Sequence, residues 1–255
     1  LEPAGMTNSS YDQPLAAALV ASAAAAHERD GSVTPGKSHT YPEQAAAGLW
    51  TTPTDLLKWA IAVTEAWKGT PGTMLSRDMA RQMLTVQKGP AGLGPMVSGK
   101  GRALQFGHGG SNQGFRSQLI YFPATGQGAA LMTNGEQGSD LINEVVLAIA
   151  AEYGWPEHRQ REIVAFPADS VALDRVVGTY RLQRDKFTLE LVVTREGPRL
   201  FGEVAGFSAR SELVFLEATK LIALASGNEF TLAAKSDGTI EAVLVGDLRL
   251  ARKEK

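Results

Sequence analysis

From about residue 170 onward the chain breaks into eight short strand-like runs, with a turn signal every eight to twelve residues. That rhythm constrains the fold more than any other feature of the sequence. The runs are Val176–Leu182, Thr188–Thr194, Arg199–Val204, Glu212–Leu216, Lys220–Ala225, Glu229–Ala233, Ile240–Val245 and Leu248–Arg252. Between them lie turn formers such as Glu196-Gly197-Pro198 and the hairpin-type Ser236-Asp237-Gly238-Thr239. Strands so short and so evenly spaced build a small closed barrel or a sandwich.

The preceding part has a different texture. A chain of 255 residues holds one large domain or two ordinary ones. Residues 14–26 are alanine-rich after Pro14 and predict a helix, although alanine runs carry little positional information. A stronger helix is predicted over 53–68. Thr52 caps it, Pro53 takes its first position and Asp55 favours its positive end. Leu56, Trp59, Ala60, Val63 and Trp67 repeat at helical spacing, and Gly69 stops it. Ser76 opens another helix, with Met79, Met83 and Val86 on one face.

Ala103–Phe106, Ser117–Phe122 and Ala129–Thr133 read as strands, the last two joined by a hairpin link over 123–128. Ser139 caps a helix whose stripe is Ile142, Val145, Val146, Ile149 and Tyr153, ended by Gly154 and Pro156. Two or three antiparallel strands with a covering helix make an α+β layout. The expected organisation is an α+β unit over 1–155, a linker over 156–169 and an all-β unit over 170–255.

Composition excludes several functions. The net charge is −2 with both signs interspersed, which argues against a nucleic-acid footprint or a polybasic membrane patch. There is no cysteine, hence no disulfide, thiolate metal site or cysteine nucleophile. No apolar run reaches the roughly eighteen residues a membrane-spanning helix needs. The chain opens on Leu1-Glu2-Pro3 and reads as a processed or truncated product, so any targeting signal is expected upstream.

Chemistry concentrates in Phe106–Ser117, which holds four glycines and one of the chain's four histidines. Glycine lets a backbone approach a ligand closely, and histidine titrates near neutral pH. His108 with Gly109 and Gly110 is either a strand-edge substrate site with N–H groups aimed at a developing oxyanion, or a tight turn with an exposed histidine. The residues alone leave both open, and the turn is the commoner case. A Gly-x-Ser-x-Gly elbow, a His-Glu-x-x-His pair and phosphate or dinucleotide fingerprints are all missing, so no metal and no cofactor is expected. His27, His39 and His158 read as solvated groups, and the four tryptophans as packing residues.

Three ordered blocks resemble the serine β-lactamase and penicillin-binding superfamily, in its branch of class C β-lactamases, esterases and peptidases. The first is Leu1-Glu2-Pro3-Ala4-Gly5-Met6, similar to a Pro-Leu-Gly-Met segment. The second runs from Ala46 to Leu56 and is similar to Gly-Gly-Leu-x-Ser-x-x-Asp-Leu. The third is His108-Gly109-Gly110, then Gly114-Phe115-Arg116-Ser117, Tyr121-Phe122-Pro123 and Leu131-Met132-Thr133-Asn134. It resembles the family's closing triplet strand and the strands after it. The β-rich remainder, opening on Val177-Gly178-Thr179-Tyr180, resembles the lipocalin-like barrels appended to some of these enzymes. A packed barrel that caps or oligomerises the enzyme is the expected form, rather than one holding a small ligand.

The resemblance implies the C-terminal portion of a β-lactamase-like α/β domain, with antiparallel strands and covering helices, followed by a small all-β barrel. It further implies a serine hydrolase acting through an acyl-enzyme on an ester, peptide or amide. His108 takes the place of the triplet lysine, and the Ser111 N–H matches the second oxyanion-hole donor. Gly109, Gly110 and Asn112 line the substrate. Neither Ser-x-x-Lys nor Tyr-x-Asn occurs in the 255 residues. Both normally precede the Gly-Met segment, so the chain alone is expected to be inactive. It is expected to pair with a missing N-terminal half or to self-associate. A non-catalytic binding protein on a remnant fold is the alternative, and the resemblance favours a periplasmic or secreted location.

Overall fold

The computed structural model describes residues 1–159, 162–184, 187–204 and 208–253. The chain divides into two compact units, Leu1–Gln160 and Arg161–Lys255.

The first unit contains α1 (Ala17–Val20), α2 (Gln44–Ala47), α3 (Pro53–Lys68), α4 (Arg77–Met83), β1 (Met96–Ser98), β2 (Gln105–Asn112), β3 (Phe115–Phe122), β4 (Gln127–Thr133) and α5 (Gly138–Tyr153). The strands form one antiparallel sheet in the order β1-β2-β3-β4. Strand alternation sends Phe106, Leu119 and Tyr121 to one face, against Ala60 and Val63 of α3. Ile120, Phe122 and Ala129 go to the other, against Ile142, Val146 and Ala150 of α5 and against Trp155. The sheet is thus covered on both faces.

The start of α3 follows the sequence signals. Thr52 Oγ1 accepts from Asp55 N at 3.2 Å, and Gly69 closes the helix at φ +90°. Asp55 does more than favour a helix dipole. It is fully buried and accepts from Asn8 N (2.7 Å), Ser9 Oγ (2.9 Å) and Lys58 Nζ (2.9 Å), pinning residues 8–9 to the helix. The Lys58 bond is the main reason its carboxyl lies below the usual aspartate range.

Three expectations need correction. The alanine-rich stretch 14–26 forms only the single turn α1, with Leu19 and Val20 exposed, because it has no apolar stripe to bury. Ser139 does not cap α5. The helix starts at Gly138 with no side-chain cap, and that glycine lies so close to Thr133 that a Cβ would overlap Thr133 Oγ1. Ala103 belongs to a 3-10 turn, and β2 runs straight through the glycines to Asn112. The short strand β1 carried no sequence signal of its own.

The second unit contains α6 (Ser170–Val176) and eight strands: β5 (Gly178–Arg184), β6 (Phe187–Glu196), β7 (Arg199–Val204), β8 (Ser208–Glu217), β9 (Lys220–Ala223), β10 (Glu229–Ala234), β11 (Ile240–Val245) and β12 (Leu248–Arg252). Consecutive strands pair antiparallel, and β12 returns to β5 through Ala251↔Arg181 and Arg252↔Tyr180, closing a barrel. Of the expected linker 156–169, residues 160 and 161 lie outside the described residues, and 156–158 form a 3-10 turn. The helix α6 was not anticipated. Asp169 Oδ1 caps it by accepting from Ala172 N at 2.8 Å.

Side chains fill the barrel. Tyr180, Leu191, Val193, Leu200, Leu213 and Phe230 belong to one buried cluster, joined by Leu173 and Val176 of α6. Tyr180 Oη donates to Val176 O at 2.7 Å, and burial raises its pKa. Arg252 bonds the carbonyls of Arg175 (2.8 Å), Ile240 (3.1 Å) and Val177 (2.5 Å), tying the last strand to the barrel entrance. Truncating an interior anchor should therefore leave a cavity: Leu191→Ala is expected to cost about 2–5 kcal/mol, measured by urea unfolding followed by circular dichroism.

Candidate active site

The β2–β3 hairpin carries every residue singled out for chemistry. Its register pairs His108 with Leu119, Gly109 with Gln118, Gly110 with Ser117, Ser111 with Arg116 and Asn112 with Phe115. The turn is Gln113–Gly114, three residues beyond the triplet. His108-Gly109-Gly110 is therefore strand, and the tight-turn reading of those residues falls away.

β1 covers only the start of β2, opposite Gln105, Phe106 and Gly107. Val97 N bonds Pro90 O at 2.8 Å, so Met96 and Ser98 turn their N–H groups toward β2. Antiparallel alternation then aims the N–H groups of Gly109 and Ser111 to that same side, past the end of β1. Among the described residues no strand pairs with them there. His108 through Ser111 are exposed. His108 Nδ1 bonds the Gly109 carbonyl, which in the neutral ring leaves Nε2 as the free acceptor. Asn112 is partly committed elsewhere: its Nδ2 donates one hydrogen to Ala47 O at 2.8 Å.

Polar groups from distant segments grip the hairpin tip. Gln113 N donates to Tyr41 Oη (2.8 Å), and Gln113 Nε2 to Glu28 Oε2 (2.6 Å). Gly114 N donates to Glu136 Oε2 (2.7 Å), and Arg116 pairs with Glu136 Oε1. Arg116 Nη1 also bonds the carbonyls of Asn112 (2.6 Å) and Phe115 (2.8 Å). Gly114 sits at φ +68°, and a Cβ there would meet Ala26 Cβ at 2.6 Å, so both conformation and space require glycine. Trp50 packs edge-on against Phe115 with centroids 5.9 Å apart. None of Glu28, Tyr41, Gln113 or Glu136 stood out in the sequence, because each is separated from its partner by tens of residues without a motif.

Two histidines read as solvated are engaged. His27 Nδ1 bonds Asn134 O at 2.9 Å, and Asn134 Nδ2 donates to Ala25 O at 2.9 Å. His158 is half-buried, bonds Gln105 Oε1 through Nε2 at 2.8 Å, and burial lowers its pKa. Trp155 is buried against Phe122, 5.0 Å between centroids. Among the described residues no group of three or more His, Asp or Glu side chains could hold a metal ion, and no helix is long and apolar enough to cross a membrane.

Burial works to raise the Glu136 pKa. The Gly114 N–H and the bond and charge of Arg116 outweigh it, leaving the carboxyl below its ordinary value of 4.5. A depressed folded pKa stabilises fully above the unfolded value and is lost as pH falls through the folded one. Glu136→Gln is therefore expected to cost about 1–3 kcal/mol near pH 7. In calorimetric melts at stepped pH, its deficit against the parent should narrow below about pH 4.5.

The sequence model of the Beta-lactamase family matches residues 1–152. No curated protein matches the chain. A crystal structure of SurE is 23% identical, over 90% of this chain and 55% of that one, with a TM-score of 0.49. A crystal structure of SurE with D-Leu is 22% identical, over 99% of this chain and 60% of that one, with a TM-score of 0.53, a likeness of fold. The chain thus spans about 60% of the length of that solved structure. The sheet with helices on both faces, the strand carrying His108 at its edge and the family match over residues 1–152 agree, and the chain belongs to the Beta-lactamase family.

Proposed function

We propose that this chain forms the substrate-binding edge of a serine acyl hydrolase that cleaves an ester, peptide or amide through an acyl-enzyme. The observation that carries this reading is the outward-facing Ser111 N–H, at a strand edge that β1 leaves open. In such a reaction a serine hydroxyl adds to the substrate carbonyl, its proton passing to a base. The alcohol or amine leaves with a proton, and water then releases the acid. During both additions the carbonyl oxygen becomes an oxyanion. Ser111 N–H supplies one donor and the serine's own N–H the other. Loss of one such donor costs roughly 2.7–4 kcal/mol of transition-state stabilisation in a known case.

His108 stands where the family has its triplet lysine, and orients a substrate carboxylate or hydrogen-bonds near the nucleophile. A histidine there weighs toward esterase or peptidase chemistry over β-lactam hydrolysis. No Ser-x-x-Lys pair occurs in residues 108–111 or anywhere in the 255 residues. The nucleophile is thus contributed from outside them, and the chain alone performs no acyl transfer. The barrel acts as a packed appendage. Its filled interior weighs against the alternative of a ligand-carrying scaffold.

The sheet leaves a second edge. β4 pairs only with β3 among the described strands, and Gln127–Thr133 carries no charge and no proline. Bare edges of that kind invite pairing. The chain associates through them, with the remainder of its protein or with a second copy. A fluorophosphonate probe should leave the 255-residue chain unlabelled, while sedimentation of the chain alone should show more than monomer. Labelling of a serine within the chain would overturn the proposed division of the site.

A further inference from the structure

Along α6 the second unit carries an open groove of about 740 Å³. Phe166 and Pro167 of the segment before α6, Val171 of the helix, and Phe215 and Ala218 at the end of β8 give it apolar walls. Leu173 and Val176 turn one face of α6 into the barrel core, whereas Val171 and Arg175, one helical turn apart, line the groove. Both walls are fixed in place. Phe166 N donates to Phe215 O at 2.7 Å, which ties the segment before α6 to β8. Asp169 Oδ1 caps the start of α6, and Arg252 Nη1 donates to Arg175 O at 2.8 Å, which ties its last turn to β12. Preformed, mostly apolar clefts of this volume with few polar groups are the common form of a small-ligand site.

Arg175 supplies the charge. Elsewhere in the unit Arg181, Arg195, Arg199, Arg210 and Arg249 each pair with a carboxylate. The Arg175 guanidinium has no hydrogen-bond or ion-pair partner among the described residues. It lies against the β10–β11 turn, so close to Gly238 that a Cβ there would stand 3.3 Å from its Cζ. The carboxylate of the groove, Asp169, sits at the opposite end of α6, roughly 9 Å away along the helix axis, with Oδ1 already accepting from Ala172 N. A guanidinium without a partner offers a carboxylate two parallel hydrogen bonds.

The geometry points to a binding site on the barrel unit for a small amphipathic carboxylate. Its two oxygens accept from the Arg175 guanidinium, and its apolar tail lies between Val171 and the rings of Phe166 and Phe215. The filled interior of the barrel takes no part, and the site does not require the hydrolase edge of the first unit.

Octanoate serves as the probe, and octylammonium, with the same chain and the opposite charge, as its counterpart. In amide NMR titrations of the full 255-residue chain, octanoate should shift the Ala172, Ala218 and Gly238 signals saturably, and octylammonium should not. Arg175→Gln should weaken octanoate binding about ten-fold, the loss of hydrogen bonds to a charged group. Val171 is exposed in the first turn of α6, where an acid suits the helix, so Val171→Asp should fold normally yet weaken octanoate at least as much. Leu248→Ala, an exposed apolar position of β12 outside the groove, should leave binding unchanged. Octanoate binding at full affinity to Arg175→Gln, equal binding of octylammonium, or no shift at any of the three amides would each overturn the site.

Discussion

Glu136 accepts a backbone N–H from Gly114 with one oxygen and the Arg116 guanidinium with the other, and the exposed part of β2 depends on that grip. A strand end paired on one side only leaves its outer backbone groups bare. Here β1 ends opposite Gly107, and on that side no described strand flanks His108 to Asn112, which pair with β3 alone. The strand keeps its line because its far end is fixed by side chains. Glu136, Glu28 and Tyr41 hold the turn, Asn112 reaches Ala47, and Trp50 leans on Phe115. The ligand-binding edge proposed above would have to stay unpaired yet straight. Fixing the tip from outside the sheet meets both demands.

The two glycines after His108 acquire a more definite purpose from the same geometry. Read alone, they signal a turn or an open backbone. In the hairpin they make room for Gln118 and Ser117, whose polar ends fold across the strand on opposite faces. The triplet is thus a cross-strand packing solution as well as an exposed edge. The barrel solves a different problem. Its eight strands bury one apolar face each, α6 adds Leu173 and Val176, and the interior is closed by the resulting cluster.

Much of this was legible from local signals. Turn spacing predicted the barrel strands to within a few residues, because alternation and turn chemistry act over neighbours only. The cap, proline and glycine around α3 marked its ends for the same reason. The failures share a cause as well. Residues 14–26 have helix propensity but no stripe to bury, and propensity without packing yields one turn. β2 extends through glycines that locally favour a turn, because pairing with β3 overrides that preference. Asp55 read as a helix-end charge, whereas its buried oxygens bind residues 8 and 9.

The sequence by itself determined the α+β unit followed by an all-β unit, the helix ends, and the importance of the stretch from Phe106 to Ser117. These follow from periodicity, capping and turn chemistry, which are properties of adjacent residues. Only the tertiary structure decided that His108 lies within a strand, that Gly109 and Ser111 point past the end of β1, and that Glu136 anchors the turn. Those are relations between residues far apart in the chain, such as Gly114 with Glu136 and Gln113 with Glu28. No local pattern encodes them, because register and long-range hydrogen bonds are fixed only when the sheet assembles.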